Sequence, residues 1–307
     1  MLAHLPGFSA GLLHHFISIL QHILFVKNIH NIRYLRESIR RKAARRKFKT
    51  YGHTITDYNF PDVGNFQYAN WDNPLSMGKI ITNEQYQFYK QFINEGDLAV
   101  DIGANIGDTT VPMSLCSGNK GLVLGFECNP VIYTILEVNE QLNPEKTNIQ
   151  AVPYAISETE EEFFYNSSEG SMSNGGISRE AKNRHGKFGL SKKVKSVNLE
   201  KFLNKEYPEW ISKLSFIKTD TEGHDLIILK SIDSLIRKTR PVIVAECFKR
   251  ANREEREEIY RMFRQLDYQI YHAEKYEEGK QNIPLDIDDF FRMEHFDFLA
   301  LPLSASS

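Results

Sequence analysis

The chain has 307 residues, of which 41% are hydrophobic and 25% charged, the balance of an ordinary folded protein. That length suits one core of about 200–250 residues plus an extension better than two equal domains. A formal net charge of −2 excludes a polyanion binder that uses its whole surface. Cys116, Cys128 and Cys247 sit in apolar or helical segments without metal-ligand spacing. Buried thiols in a reducing cytosol are expected, with neither a disulfide framework nor a metal requirement.

In chain order, residues 1–26 carry no charge when histidine is neutral, but His14, His15, Ser18, Gln21 and His22 interrupt the apolar run. A membrane span wants about 20 apolar residues with few such breaks, so none is expected. Arg33, Arg36, Arg40, Arg41, Lys42, Arg45, Arg46, Lys47 and Lys49 follow, against Glu37 alone. An apolar helix followed by a basic one has the form of a peripheral anchor on the inner face of a membrane. It reads equally as a helix packed on the core or on a second copy, with a solvated basic face. A cleaved signal is disfavoured because the charges come after the apolar stretch, so the core is expected in the cytoplasm. Residues 1–50 therefore form a helical extension, 51–83 an aromatic, turn-rich lead-in of short strands, and 84–303 the main domain. The lead-in could roof a site, although a packing layer is the commoner use of such a segment.

The main domain opens with a helix at 84–92 and then a buried parallel strand, Leu98–Ile102, ending in Asp101. Gly103 and Gly107 turn the chain into a helix at 108–116, bringing backbone and its N–H groups near a ligand. The Asp101 carboxylate would repel a pyrophosphate there. It would attract a ligand with a cationic amino-acid end and a ribose, such as S-adenosylmethionine. A second apolar run ends at Glu127, about 20 residues past the turn, the spacing at which a carboxylate reaches ribose hydroxyls. Asn129 then reads as an N-cap with Pro130 opening a helix to 141. A strand at 149–152 exits through Ala155 and Ser157 beside the same sheet edge. Strands at 161–165 and 194–199 flank a Ser-, Gly- and Asn-rich stretch at 167–184, long enough to be a lid or unstructured.

The second dense cluster is Phe216 to Asp225, a strand ending at Asp220, a turn at Glu222 and Gly223, and a helix over 225–234. Ligands in open α/β sheets bind outside the carboxyl ends of the strands, so Lys218, Asp220, Glu222 and His224 should approach Asp101 and Glu127. A strand at 241–246 ends in Glu246. After a charged helix at 254–266, strands at 268–272 and 296–301 predict a final antiparallel pair.

Six blocks in order resemble the FkbM family of S-adenosylmethionine-dependent methyltransferases over about residues 84–302. They are Asp101-Ile-Gly-Ala-Asn-Ile-Gly107, Phe126-Glu-Cys-Asn-Pro130, Ala155-Ile-Ser157, Val197-Asn-Leu-Glu200, Ile217-Lys-Thr-Asp-Thr-Glu-Gly-His224 and Pro241-Val-Ile-Val-Ala-Glu246. The resemblance implies a class I methyltransferase fold: an α/β, Rossmann-like seven-stranded sheet with helices on both faces. It also implies S-adenosylmethionine as cofactor, its methionine end among Asp101, Gly103, Ala104, Asn105 and Gly107. Glu127 would bind the ribose with Asn129 adjoining, Ala155 and Ser157 would lie near the adenine, and Asp220 near the reacting centre. Glu200 stands where the family usually has aspartate, and Cys128 where proline is frequent.

Methyl transfer to a hydroxyl needs alignment and a base. Asp220, Glu222 and His224 are the candidates, with Lys218 orienting a polar substrate or pairing with Glu222. Each has a plainer use: Asp220 in holding the cofactor's ammonium, Glu222 in bracing the turn, and His224 in capping the helix. Glu246 reads as a structural strand-end acid, and His185 and His272 as surface or core residues. The implied acceptor is a hydroxyl on a sugar, glycolipid or polyketide-type molecule. Alternatives are a non-catalytic binding or membrane-recruitment module on the same fold, or a nicotinamide dehydrogenase, which wants one more glycine and no acid. Nucleic acid is not expected as a partner, because the basic charge is confined to one stretch without stacking aromatics.

Overall fold

The computed structural model describes residues 34–76, 78–180, 186–191, 193–274 and 283–303. The apolar stretch 1–26, Arg33 and His185 lie outside the described residues.

The core is a seven-stranded sheet built from Leu98–Ile102 (β3), Leu122–Phe126 (β4), Ile149–Val152 (β5), Leu214–Thr219 (β11), Val242–Cys247 (β12), Tyr268–His272 (β13) and Phe296–Pro302 (β14). Its order is β13-β14-β12-β11-β3-β4-β5, with β5 to β12 parallel and β14 inserted antiparallel between β12 and β13. The expected antiparallel end pair is present, with a short helix, Ile287–Arg292, between its strands. Every residue of β3 and β4 is buried, as parallel strands covered on both faces must be. The helices are Asn83–Lys90 (α2), Thr110–Ser117 (α3), Tyr133–Gln141 (α4), Leu199–Glu206 (α5), Asp225–Ser231 (α6), Asp233–Thr239 (α7) and Arg253–Gln265 (α8). In α8 the Asn252–Glu255 capping box satisfies the first free N–H groups.

Four sequence expectations are corrected. Asn129 does not cap α4, which begins at Tyr133 after a turn; instead its Oδ1 accepts from the Val131 N–H. Ala155 and Ser157 leave the large sheet. Tyr154–Ile156 (β6) pairs with Val194–Val197 (β10) in a second, five-stranded sheet that also holds Glu162–Ser167 (β7), Gly176–Ser178 (β8) and Phe188–Gly189 (β9). The stretch 167–180 is therefore no open lid: it turns back as the β7–β8 pair with Ser171 and Met172 fully buried. The helix expected over 225–234 is two, broken at Ile232, and α5 was not foreseen.

The lead-in is a regular antiparallel ribbon of His53–Phe60 (β1) and Gly64–Trp71 (β2). It is a packing layer rather than a roof. The Asn139 side chain on α4 bonds both the N–H and the C=O of Ala69, and Asn143 does the same for Gln67, so two amides stand in for a missing strand along β2. Phe60, Phe66, Tyr68 and Trp71 join Tyr86, Met113 and Ile135 in one apolar cluster. A helix over 34–46 (α1) precedes the ribbon, largely exposed, with Ala44 buried. Among the described residues no helix is long and apolar enough to cross a membrane.

Candidate cofactor and acceptor site

Strand ends of β3, β4, β11, β12 and β14 place the chemistry on one edge. Asp101 is fully buried, and its Oδ2 accepts from the hydroxyls of Thr109 and Thr110, each at 2.6 Å. Its Oδ1 has no partner. Burial pushes its carboxyl up from the ordinary range, opposed by Lys218 and the two threonine hydroxyls. An unpartnered buried carboxylate oxygen is costly, typically about 1–3 kcal/mol or more, and calls for a donor or cation.

The glycine turn corrects one expectation. The N–H groups of Gly103 and Ala104 both donate to the Phe126 carbonyl, that of Asn105 to Glu127 Oε2, that of Ile106 to Asn105 Oδ1, and that of Gly107 to the Ala104 carbonyl. No donor in this run is left for a ligand. Gly103 is needed for the fold itself: at φ +83° a Cβ would fall 2.0 Å from the Asp220 carbonyl oxygen. The missing side chain of Gly107 makes room for Leu136 and Asn139 on α4. With the N–H groups of residues 103–107 spent, the glycine turn itself offers no cradle for a pyrophosphate, which speaks against the dinucleotide reading.

Glu127 is buried, with Oε1 accepting from the Asn129 N–H at 2.6 Å and Oε2 from the Asn105 N–H at 3.0 Å. A carboxylate has about four lone-pair sites, so two acceptor positions remain, enough for a ribose hydroxyl pair. Burial pushes its pKa up to about 7 against the pull of those two N–H groups. Asn129 in turn donates to the Met172 carbonyl at 2.7 Å and to the Tyr165 hydroxyl at 3.1 Å, tying the small sheet to the cofactor edge.

On β11, Lys218 is buried beside Asp101 in register and pairs with Asp220 at 3.2 Å, not with Glu222. Burial works against its ammonium, but Asp220 and Asp101 outweigh it and raise its pKa. Asp220 is 44% exposed at its side chain. Glu222, at φ +57°, and His224 are both exposed. His224 makes no capping bond, and the acid that braces the turn is Asp225, which accepts from Thr219, Thr221 and Gly223. Sequence reasoning did not single out Asp225, Asp297 or His295 and read Glu246 as a structural strand-end acid. Glu246 pairs in register with Asp297, is buried, has an unpartnered Oε2, and has His295 Nε2 3.6 Å from Oε1. Burial, then Asp220, Asp225 and the other nearby acids, push it up to about 8. Ala155 is buried and Ser157 half-buried, its N–H bonded to the Val197 carbonyl. A groove of about 840 Å³ lies beyond them, lined by residues such as Tyr154, Lys195, Phe202 and Tyr207, and holds none of the acids at the sheet edge.

The methyltransferase FkbM domain matches the chain over residues 101–270. The chain belongs to the FkbM methyltransferase family. The family's cofactor is S-adenosylmethionine. Among solved structures, the FkbM methyltransferase of Methylobacillus flagellatus KT is similar at 11% identity and a TM-score of 0.40, over 72% of this chain and 56% of that one. This chain thus spans just over half of that relative's length. TYW2 of M. jannaschii, solved in complex with AdoMet, is similar at 14% identity and a TM-score of 0.39, covering 82% and 86%. A SAM-dependent O-methyltransferase from Thermotoga maritima is similar at 11% and 0.38, covering 75% and 69%. No curated protein matches the chain.

The residues present fit the family's cofactor. An edge with spent N–H donors, an unpartnered buried oxygen on Asp101 and two open acceptor positions on Glu127 takes a cation and a pair of hydroxyls. S-Adenosylmethionine carries an ammonium, a sulfonium and a ribose diol.

Proposed function

We propose that the protein transfers the methyl group of S-adenosylmethionine to a hydroxyl on a sugar, glycolipid or polyketide-type acceptor in the cytoplasm. The observation that supports this most is the partnerless Asp101 oxygen beside a glycine turn whose N–H groups from residue 103 to 107 are all bonded within the protein. That combination favours a cationic ligand over a phosphate. Bound there, S-adenosylmethionine supplies an electrophilic methyl carbon. Asp101 and Asp220 hold the amino-acid end, Glu127 the ribose, and Ala155 and Ser157 border the adenine.

The acceptor side falls to Asp220 and the acids beyond it. Transfer replaces the acceptor's O–H bond by an O–CH₃ bond, and the proton must go to a base. Asp220 lies next to the cofactor edge and open to solvent, which favours it as that base, while Glu246 beside it, pushed up to about 8, already holds a proton near neutrality. Glu222 and His224 are exposed, which suits contact with an incoming acceptor rather than proton removal in a dry site. Lys218 keeps Asp220 in place through their ion pair.

The test is calorimetric titration of the full chain with S-adenosylhomocysteine, followed by a screen of hydroxyl, amine and carbon acceptors. Binding that Asp101→Asn weakens by about tenfold or more, with methyl transfer to a hydroxyl, is the expected outcome. Failure of well-folded wild-type protein to bind would sink the reading, and methylation confined to nitrogen or carbon would overturn its acceptor.

A further inference from the structure

Among the described residues, the backbone hydrogen bonds that join helix α1 to the domain lie near its carboxyl end. The last carbonyls of a helix lack partners within it. Here the Ala44 carbonyl accepts from the Ser171 N–H at 2.8 Å and the Arg45 carbonyl from the Gly170 N–H at 3.1 Å, while the Lys49 N–H donates back to the Gly170 carbonyl at 3.1 Å. A Cβ at Gly170 would lie 2.2 Å from the Lys47 carbonyl oxygen, so the approach demands glycine. Arg45 also lies 3.4 Å from Glu169. The next residue along, Met172, takes the Asn129 amide on its carbonyl, and the Asn129 N–H donates to Glu127. The base of α1 is therefore fixed to the carboxyl-end face of the seven-stranded sheet, the face that bears the site.

The rest of α1 projects from that base. Leu35 and Ile39, one turn apart, are 60% and 58% exposed. Buried Ala44 is half a turn round the helix from Leu35, so the aliphatic pair looks away from the domain. Lys42 and Arg46 continue the same outward face and Arg36 borders it, all exposed, while Arg40 lies further round and pairs with Glu37. Beyond the helix, Phe48 is 56% exposed between Lys47 and Lys49. Glu37 is the only acid among residues 33–49, and residues 1–26 before them are charge-free.

We infer that α1 is a membrane-surface helix that holds the carboxyl-end face of the sheet against an anionic bilayer, and that the acceptor hydroxyl is carried by a lipid of that bilayer. A bilayer answers both features of the face: its headgroups attract the cations and its acyl boundary takes Leu35, Ile39 and Phe48. A nucleic acid would answer the charge and leave the aliphatic pair against a polyanion. A second copy would bring another basic helix against this one. The acceptor half of the inference rests on the methyl-transfer reading; the surface half does not.

The test is sedimentation of the full chain with mixed phosphatidylglycerol–phosphatidylcholine vesicles and with phosphatidylcholine alone. Binding to the anionic vesicles is expected, falling as salt is raised. Arg36→Glu with Lys42→Glu should weaken it about 25-fold or more, at roughly fivefold per cation removed. Leu35→Ser with Ile39→Ser should weaken it while leaving S-adenosylhomocysteine affinity unchanged. Protein that binds S-adenosylhomocysteine yet stays in the supernatant would overturn the surface half and leave methyl transfer standing. So would equal binding to neutral vesicles, indifference to both double variants, or preference for single-stranded RNA. Labelled methyl recovered in the lipid extract of membranes supports the acceptor half, and label only in water-soluble glycans overturns it. Vesicle binding together with no cofactor binding would instead sink the methyl-transfer reading.

Discussion

The turns after β3 and β11 look alike in sequence, each a strand ending in aspartate, a glycine and a helix, yet they divide the work differently. After β3 the strand-end acid is buried with one oxygen unpartnered, and the turn's N–H groups are consumed by protein acceptors. After β11 the strand-end acid, Asp220, reaches solvent and pairs with Lys218, while Asp225 accepts the turn's Thr221 and Gly223 N–H groups from inside. The first turn leaves a carboxylate for a ligand because other groups hold the turn. The second uses a carboxylate to hold the turn and so frees Asp220, Glu222 and His224.

The largest expected effect separates the two glycines. Gly103→Ala sets a Cβ 2.0 Å from backbone at a positive φ, and should cost about 3 kcal/mol or more in urea unfolding. Gly223→Ala, at φ +107°, meets only the Phe248 ring at 2.9 Å, which can turn aside, and should cost about 1–2 kcal/mol. Equal losses would mean that the β3 turn is not closed against β11.

The two buried aspartates should respond with opposite emphasis. Asp225→Ala removes the acceptor of three donors and should cost about 2–3 kcal/mol, with S-adenosylhomocysteine affinity kept in the folded fraction. Asp101→Asn keeps an oxygen for Thr109 and Thr110 and puts an NH₂ where the partnerless oxygen was. Stability should hold or rise, and S-adenosylhomocysteine affinity should fall by about tenfold or more. Loss of stability with affinity intact would show that Asp101 serves the turn, as Asp225 does.

How much of this was legible follows from what each feature depends on. Four of the seven sheet strands, β3, β4, β11 and β12, are largely apolar runs that end at an acid, and they were readable because burial on both faces leaves a continuous signature. The placement of Asp101 and Glu127 at the carboxyl ends of neighbouring strands was readable from spacing alone. The different settings of Asp220 and Asp225 were not, because four residues of turn separate two aspartates and only the fold decides which points inward. Asn129 was misread for a related reason: an Asn before Pro signals a cap, and its partners, Tyr165 and Met172, lie in a stretch whose Ser and Gly content hides a buried turn. Asn139 and Asn143 bond a strand some 70 residues away, which no local pattern announces.

A pH titration separates the carboxylates further. Glu127 has its folded pKa pushed up to about 7, so the unliganded protein binds its proton more tightly folded than unfolded. Its stability contribution is therefore full below the ordinary glutamate range and lost as pH rises from about 4.5 to about 7. Ribose hydroxyls donate to the ionised form, so S-adenosylhomocysteine affinity should rise over the upper part of that interval. Glu127→Gln should flatten the rise, seen by calorimetry at several pH values. An unchanged profile would assign the ribose to another group.

The smallest effect belongs to the outermost member of the β11 turn. His224 is exposed and makes no capping bond from its side chain, so His224→Ala should change stability by under about 0.5 kcal/mol. If Asp220 takes the acceptor's proton, kcat should fall by less than about threefold, with any change confined to the acceptor KM. A hundredfold loss in kcat with cofactor affinity unchanged would make His224 the base. The solvent-facing turn after β11 would then be the catalytic element, and the buried row from Asp101 to Glu246 a scaffold for the cofactor.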